Sequence, residues 1–309
     1  MMGAPGGIAI LGVFVADTTF RADRLPRLGQ TLLGRTFAVG PGGKGSNQAV
    51  GCARLGAPVH LITTVGDDAF ADLAFRTWAE AGVTPVVRRR PDVATGAAFI
   101  FVDDASGDNA IIICPGAAAT LEVADVEAAA ARIRGAAVFM TQLEQPLAAA
   151  RRGLELARAA GVRTILNPAP AAPLDDALLA LCDLVTPNAS EAAALTGIDV
   201  TDRTGAVDAA RALVARGAGA AIVTLGDAGA VLFDGVRDRH VPARPIGPVV
   251  ETTGAGDAFN AGLAVALAEE HDLVAAVDFA CAVAGVAVTR PGTAASMPRR
   301  DELPADLPT

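Results

Sequence analysis

Short, unbroken apolar runs alternate with stretches of helical period along most of this chain, and this alternation restricts the fold more than any other feature. The strand-like runs fall at 8–15, 59–65, 136–141, 163–167, 184–186, 220–225 and 230–233, with helical stretches at 47–55, 70–81, 147–160, 175–182, 206–216 and 257–271 between them. A strand apolar on both faces must be covered on both faces. Alternation with helices therefore predicts an α/β fold, a doubly wound and mostly parallel sheet flanked by helices. At 309 residues and 52% hydrophobic, the chain has ample material for one large buried core.

Two segments interrupt the pattern, 20–40 and 96–114. In the second, 97–102 and 110–114 are separated by Asp103-Asp104-Ala105-Ser106-Gly107-Asp108, which reads as a hairpin. The expectation is a single domain over 1–309 carrying a small β-sheet lid from about 18–40 and 96–114. The exposed apolar face of such a lid needs cover, which predicts a homodimer packed lid on lid.

The net charge is −9, and the densest basic run is Arg88-Arg89-Arg90, read as a solvated turn before Pro91. Nucleic acid is excluded as a partner on that balance. Cys52, Cys114, Cys182 and Cys281 form no CxxC pair, and His60, His240 and His271 are scattered, so neither a zinc site nor a disulfide framework is indicated. The apolar run 8–16 is too short to span a membrane and lacks a basic leader, so the reading is a cytoplasmic protein with no membrane partner.

Four loops carry chemistry. Thr252-Thr253-Gly254-Ala255-Gly256-Asp257 opens a long helix. Small residues there let backbone N–H groups converge on an anion, helped by roughly +0.5 of a charge at the helix N-terminus. An Asp at that mouth can orient or deprotonate a hydroxyl, although an Asp so placed can also simply cap the helix. Gly40-Pro41-Gly42-Gly43-Lys44-Gly45-Ser46-Asn47 contains a bare G-x-G-x-x-G with Asp67-Asp68 beyond the next strand, the outline of a dinucleotide loop. Pro41 and the loop's position count against that, and a tight turn with a solvated Lys explains it as well. Asn188-Ala189-Ser190-Glu191 has the spacing of a capping box. Thr224-Leu225-Gly226-Asp227-Ala228-Gly229 ends a strand at the edge where a nucleotide can bind or where an ordinary turn suffices. Asp17 and Glu144 follow strands at the same edge.

Together these pieces resemble the ribokinase, or pfkB, family of sugar kinases over nearly the whole chain. One family signature is the Gly-Gly-rich loop leading to Asn, here Gly42-Gly43-Lys44-Gly45-Ser46-Asn47. The other is D-T-x-G-A-G-D, here Glu251-Thr252-Thr253-Gly254-Ala255-Gly256-Asp257. Asn167-Pro168-Ala169-Pro170-Ala171, Thr186-Pro187-Asn188 and Val288-Thr289-Arg290-Pro291-Gly292 also resemble the family's ribokinase members. The resemblance implies transfer of the γ-phosphoryl group of ATP to a small sugar, foremost D-ribose to ribose 5-phosphate. It implies Asp257 as base and Gly254, Ala255 and Gly256 as the anion hole. Asp17, Gly43, Lys44, Asn47 and Glu144 would bind the sugar. Asn188, Thr224, Gly226, Gly229, Gly256 and Cys281 would face ATP, and Glu191 would organise Mg²⁺ and the phosphates. A potassium ion is implied beside Glu251, Thr253, Ala287, Arg290, Gly292 and Ser296.

Four positions depart from the pattern. Val15 stands where ribokinase members have a sugar-binding Asn, and Gln30 replaces the Glu of a lid strand. Glu251 replaces an Asp of the cation site, and Cys281 an Asn beside the adenine. The substrate therefore stays open among ribose, 2-deoxyribose, a ketohexose, a keto-deoxy sugar acid and a nucleoside. An NAD-dependent dehydrogenase using the Gly40 loop and a non-catalytic sugar or nucleotide sensor are the more distant alternatives.

Overall fold

In the computed structural model, which describes residues 7–305 and 307, the chain forms two sheets. In chain order, β1 (Ile8–Leu11) leads to β2 (Val15–Ala22), β3 (Thr36–Gly42), α1 (Lys44–Arg54), β4 (Val59–Val65), α2 (Ala69–Ala81) and β5 (Thr84–Arg89). Then follow β6 (Thr95–Asp103), β7 (Asn109–Gly116), α3 (Val123–Ala128), α4 (Ala130–Arg134), β8 (Val138–Thr141), α5 (Leu147–Ala159) and β9 (Arg163–Leu166). The last third holds α6 (Asp176–Leu179), β10 (Leu184–Val185), α7 (Ala189–Thr196), α8 (Arg203–Ala215), β11 (Ala220–Thr224), β12 (Ala230–Phe233), β13 (Asp238–Val241), α9 (Ala255–Ala268) and α10 (Leu273–Ala287).

The main sheet has the order β13-β12-β11-β10-β9-β8-β1-β4-β5, parallel from β5 to β11 with β12 and β13 antiparallel at one edge. Its strands alternate side chains between two apolar cores. Ile8, Ile10, Met140, Ile165 and Ile222 face the core beneath α1, α9 and α10, while Ala9, Leu11, Phe139, Leu166 and Val223 face the core beneath α5 and α8. Burial on both faces is why these strands read as continuous apolar runs, each large side chain contributing about 1.5–3 kcal/mol. The second sheet, β3-β2-β6-β7, stands apart from the first. The 97–102 and 110–114 hairpin is β6–β7, antiparallel as expected.

The structure corrects several boundaries. The run 8–15 is not one strand: β1 stops at Leu11 and Val15 opens β2 in the other sheet. The break lies where Gly12 meets α1, since a Cβ on Gly45 would stand 2.5 Å from the Gly12 Cα. The helix read at 175–182 is a single turn, Asp176–Leu179. Arg88 and Arg89 belong to edge strand β5 rather than a turn, and Arg90 is tied to Thr120 and, at 2.6 Å, to Asp125. Helix α10 escapes a periodicity reading because it is buried nearly all round. It packs so closely on α9 that a Cβ on Gly262 would meet Val283 at 2.9 Å and Ala280 at 3.0 Å.

Candidate active site

The chain order places β1 and β8 side by side. From that pair the crossovers run outward in opposite senses, through β4 to β5 and through β9 to β11. Such a switch point leaves a crevice beyond the carboxyl ends of the strands. There Asn167, Thr186 and Thr224 follow or end β9, β10 and β11, and with Lys44, Asn188, Glu191, Gly254, Gly256, Asp257 and Asn260 they line a cavity of about 150 Å³.

Asp257 sits at the opening turn of α9 and is 6% exposed. It is not a cap. The N-cap is Gly254, at φ 86°, and the Asp257 carboxylate accepts side-chain donors instead. Asn47 Nδ2 reaches Oδ2 at 2.9 Å and Gln48 Nε2 reaches Oδ1 at 3.0 Å. Burial raises the Asp257 pKa, outweighing Lys44 and the two amide donors. Asp17 is pushed up to about 6 by burial and then by Asp257, and Glu144 to about 7, chiefly by burial. Glu191 is raised by burial too. Burial works against the charge of Lys44, but Asp257, Glu144 and Glu191 outweigh it and hold its pKa high. Glu144, Glu191 and Asp257 thus gather about one ammonium, with Asp17 close enough to Asp257 to feel its charge.

The Gly-rich loop is a device for close approach. Gly43, at φ 88°, ends the crossing from β3 into α1, and a Cβ there would lie 2.6 Å from the Val13 carbonyl oxygen. A Cβ on Gly42 would collide with the Asp17 carboxylate. Lys44 N–H, the first of α1, donates to Glu144 Oε2 at 2.8 Å. Asn47 Oδ1 is buried without a partner, an acceptor that suits a ligand hydroxyl.

Of the residues expected to face the nucleotide, Asn188 and Glu191 form both halves of a capping box and also line the cavity. Gly226 and Gly229 lie in the turn between β11 and β12, away from the cavity wall. Gly229, at φ 88°, leaves no room for a Cβ against the Val241 carbonyl. Cys281 is buried in α10 among apolar neighbours. Ala255 N–H is engaged by the Thr252 carbonyl at 3.1 Å.

The residues singled out for a cation lie in the loop 251–253, at the end of α10 and in the loop 288–296. Glu251 Oε2 accepts from Gly292 N–H at 2.8 Å, Ser296 Oγ donates to the Thr293 carbonyl, and the Ala287 carbonyl accepts from Arg290 N–H. The Arg290 side chain is paired with Glu302. Arg54 holds this region to α1 through the carbonyls of Ala294, Ala295 and Met297.

Two outcomes bear on the alternatives. Asp68 N-caps α2 and takes Thr95 N–H on its other oxygen, while Gly40 and Gly42 lie within β3. That leaves no dinucleotide loop at this position. Sequence reasoning gave no role to Asn167, Thr186 and Asn260, which line the cavity, or to Gln48 and Gln142, buried behind Asn167 and Asp257. The available signal was a polar residue inside an apolar helical run, such as Asn260 within α9.

The family model for pfkB family carbohydrate kinases matches residues 7–300. The chain is 36% identical over 296 residues to a ribokinase of Haemophilus influenzae, covering 96% of each chain. It is 37% identical over 298 residues to a deoxyribokinase of Salmonella typhimurium, covering 96% of this chain and 97% of the relative. The solved structure of Arabidopsis thaliana ribokinase complexed with ribose and ATP superposes with a TM-score of 0.90 at 31% identity, covering 96% of each chain.

Proposed function

This chain belongs to the pfkB family of carbohydrate kinases, an ATP-dependent sugar kinase, and from that premise we propose that it converts D-ribose to ribose 5-phosphate with Asp257 as the base. The observation that carries the base is the buried Asp257 carboxylate, held by Asn47 and Gln48 at the start of α9 and edging the cavity. Its raised pKa suits an acceptor for a hydroxyl proton. As the sugar oxygen bonds to the γ-phosphorus, the bond from phosphorus to the ADP oxygen breaks and the sugar proton passes to Asp257. The N–H groups of Gly254 and Gly256 and the positive end of α9 would meet the charge spread over the transferring group, Ala255 N–H being engaged by the Thr252 carbonyl. Lys44 supplies the nearest positive charge.

Asp17, Glu144, Asn47 and the Gly43 backbone would bind sugar hydroxyls, and Asn188, Thr224, Gly226 and Gly229 would receive the nucleotide, with Cys281 behind it. Glu191, which lines the cavity beside Lys44, would organise Mg²⁺ together with the phosphates, whose charge the ion would neutralise. A potassium ion would lie near Glu251, Thr253, Ala287, Arg290, Gly292 and Ser296, held mostly by backbone carbonyls.

We assign the whole chain to one kinase domain, with the second sheet acting as a lid that excludes water during transfer. Its exposed Phe20, Phe37 and Ile112, which the register puts on one face, support a homodimer in which the lids cover each other. No helix among the described residues is long and apolar enough to cross a membrane, and a cytoplasmic location fits the four unpaired cysteines Cys52, Cys114, Cys182 and Cys281.

A second substrate reading has specific support. Val15 packs with Val13, Ala98 and Ala118 in a small apolar cluster, and the deoxyribokinase relative is as similar as the ribokinases. An apolar wall suits a sugar lacking one hydroxyl, because an unpaired buried hydroxyl costs about 1–3 kcal/mol. The test is ADP release with ribose, 2-deoxyribose, fructose, a keto-deoxy sugar acid and adenosine. The highest kcat/KM on ribose supports the first reading; a tenfold preference for 2-deoxyribose replaces it with the second.

A further inference from the structure

We propose that Gln48 is a positioning residue for phosphoryl transfer, acting through a ring of buried amides that fixes the Asp257 carboxylate and the Gly256–Asp257 peptide as one unit. This rests on the reading of Asp257 as the base. Gln48 is fully buried in the second turn of α1 and does not line the cavity. Its Nε2 donates both to Asp257 Oδ1 at 3.0 Å and to Asn167 Oδ1 at 3.2 Å. Asn167 Nδ2 donates to the Thr186 carbonyl at 3.0 Å, and Thr186 Oγ1 to Asn260 Oδ1 at 2.6 Å. Asn260 Nδ2 then donates to the Gly256 carbonyl at 2.8 Å. That carbonyl belongs to the peptide whose N–H is that of Asp257, so the path returns to its origin.

The ring has one consistent polarity. An ionised carboxylate accepts only, so Gln48 must turn its NH₂ toward Asp257, and its oxygen must then face a donor. Gln142 Nε2 is that donor. Gln142 in turn needs the absence of a side chain at Gly12, where a Cβ would strike its Oε1. With Gln48 donating, Asn167 must present oxygen to it and NH₂ to Thr186. Each orientation follows from the one before. Buried networks of this kind hold one arrangement, because every inverted amide leaves a pair of donors or acceptors facing each other. Asn47, the other donor to Asp257, leaves its Oδ1 unpaired, whereas both ends of the Gln48 amide are engaged.

The test compares Gln48→Met, Thr186→Val and Thr186→Ser with Asp257→Asn, using ribose or whichever sugar is turned over best. Gln48→Met keeps the length of the side chain and removes its hydrogen bonds. It is expected to lower kcat by about 10- to 100-fold, the worth of a hydrogen bond to a charged group, with KM for sugar and ATP within about threefold. Losing a donor to the carboxylate also raises the Asp257 pKa, so the acid limb of the kcat profile shifts to higher pH. Thr186→Val opens the far side of the ring but leaves both donors to Asp257. It should lower kcat by about three- to tenfold without moving the acid limb, and Thr186→Ser should restore kcat. If Gln48→Met does not fold, the two Thr186 variants decide.

A Gln48→Met enzyme with wild-type kcat per folded molecule and an unmoved acid limb would overturn the proposal. So would a Thr186→Val enzyme indistinguishable from wild type. If Asp257→Asn is inactive while Gln48→Met is not impaired, the ring has no role and the base assignment stands; an active Asp257→Asn removes the base assignment itself.

Discussion

Replacing Asp257 with Asn removes a proton acceptor while keeping the shape of the side chain. A general base is worth about 10²–10⁴ in rate, so kcat should fall by that factor, or about 2.7–5.4 kcal/mol in barrier. Stability should change far less, for reasons visible in the site. Asn47 and Gln48 approach the two carboxylate oxygens as donors at 2.9 and 3.0 Å, and an amide at 257 can accept from only one. The mismatch costs about 1–3 kcal/mol. Against it stands relief from burying a charge, the first cause of the raised Asp257 pKa. Asn47 can also rotate its unpaired Oδ1 onto the new NH₂. The two terms oppose each other, and the melting temperature should move by only a few degrees. The assay is steady-state ADP release at saturating sugar and ATP, beside a thermal melt and calorimetric ATP binding. A folded variant that keeps a third of the wild-type kcat would refute the role of Asp257.

Three further outcomes are expected. Glu144 is raised from 4.5 to about 7, so its proton is held more tightly in the folded chain; the stability this contributes is fully present below pH 4.5 and is lost as pH rises through 7. The term is on the order of 3 kcal/mol, and Glu144→Gln should flatten the fall in substrate-free melting temperature between pH 5 and 8; an unchanged slope means Glu144 is not the group responsible. Potassium should raise kcat several-fold over an equal concentration of tetramethylammonium, with Glu251→Asp keeping the gain; equal rates in the two salts would show that Glu251, turned to Gly292 N–H, has made the cation unnecessary. Sedimentation at micromolar concentration should show a dimer that Ile112→Lys, on the exposed strand β7, converts to monomer without loss of fold, and a wild-type monomer removes the lid-on-lid arrangement.

What the amino-acid sequence determined alone is whatever depends on near neighbours along the chain. Unbroken apolar runs and the helical patterns between them identified most of the main sheet, because burial on both faces writes itself into each strand separately. The hairpin of β6 and β7 was legible from its polar turn, and the glycines before Asp257 from the demands of a helix start. The edge strands β5 and β13, richer in charge, and the evenly buried α10 left weaker traces, since periodicity reports only on a face that differs from its opposite. The site itself belongs to the tertiary structure. Asn47 and Gln48 lie 210 and 209 residues from Asp257, and Gln48 lies 119 from Asn167. A buried amide carries no local sign of which donor it will meet. Its role is set only when α1, α9 and the ends of β9 and β10 pack together, because there each polar atom, shut away from water, must find a partner on another element.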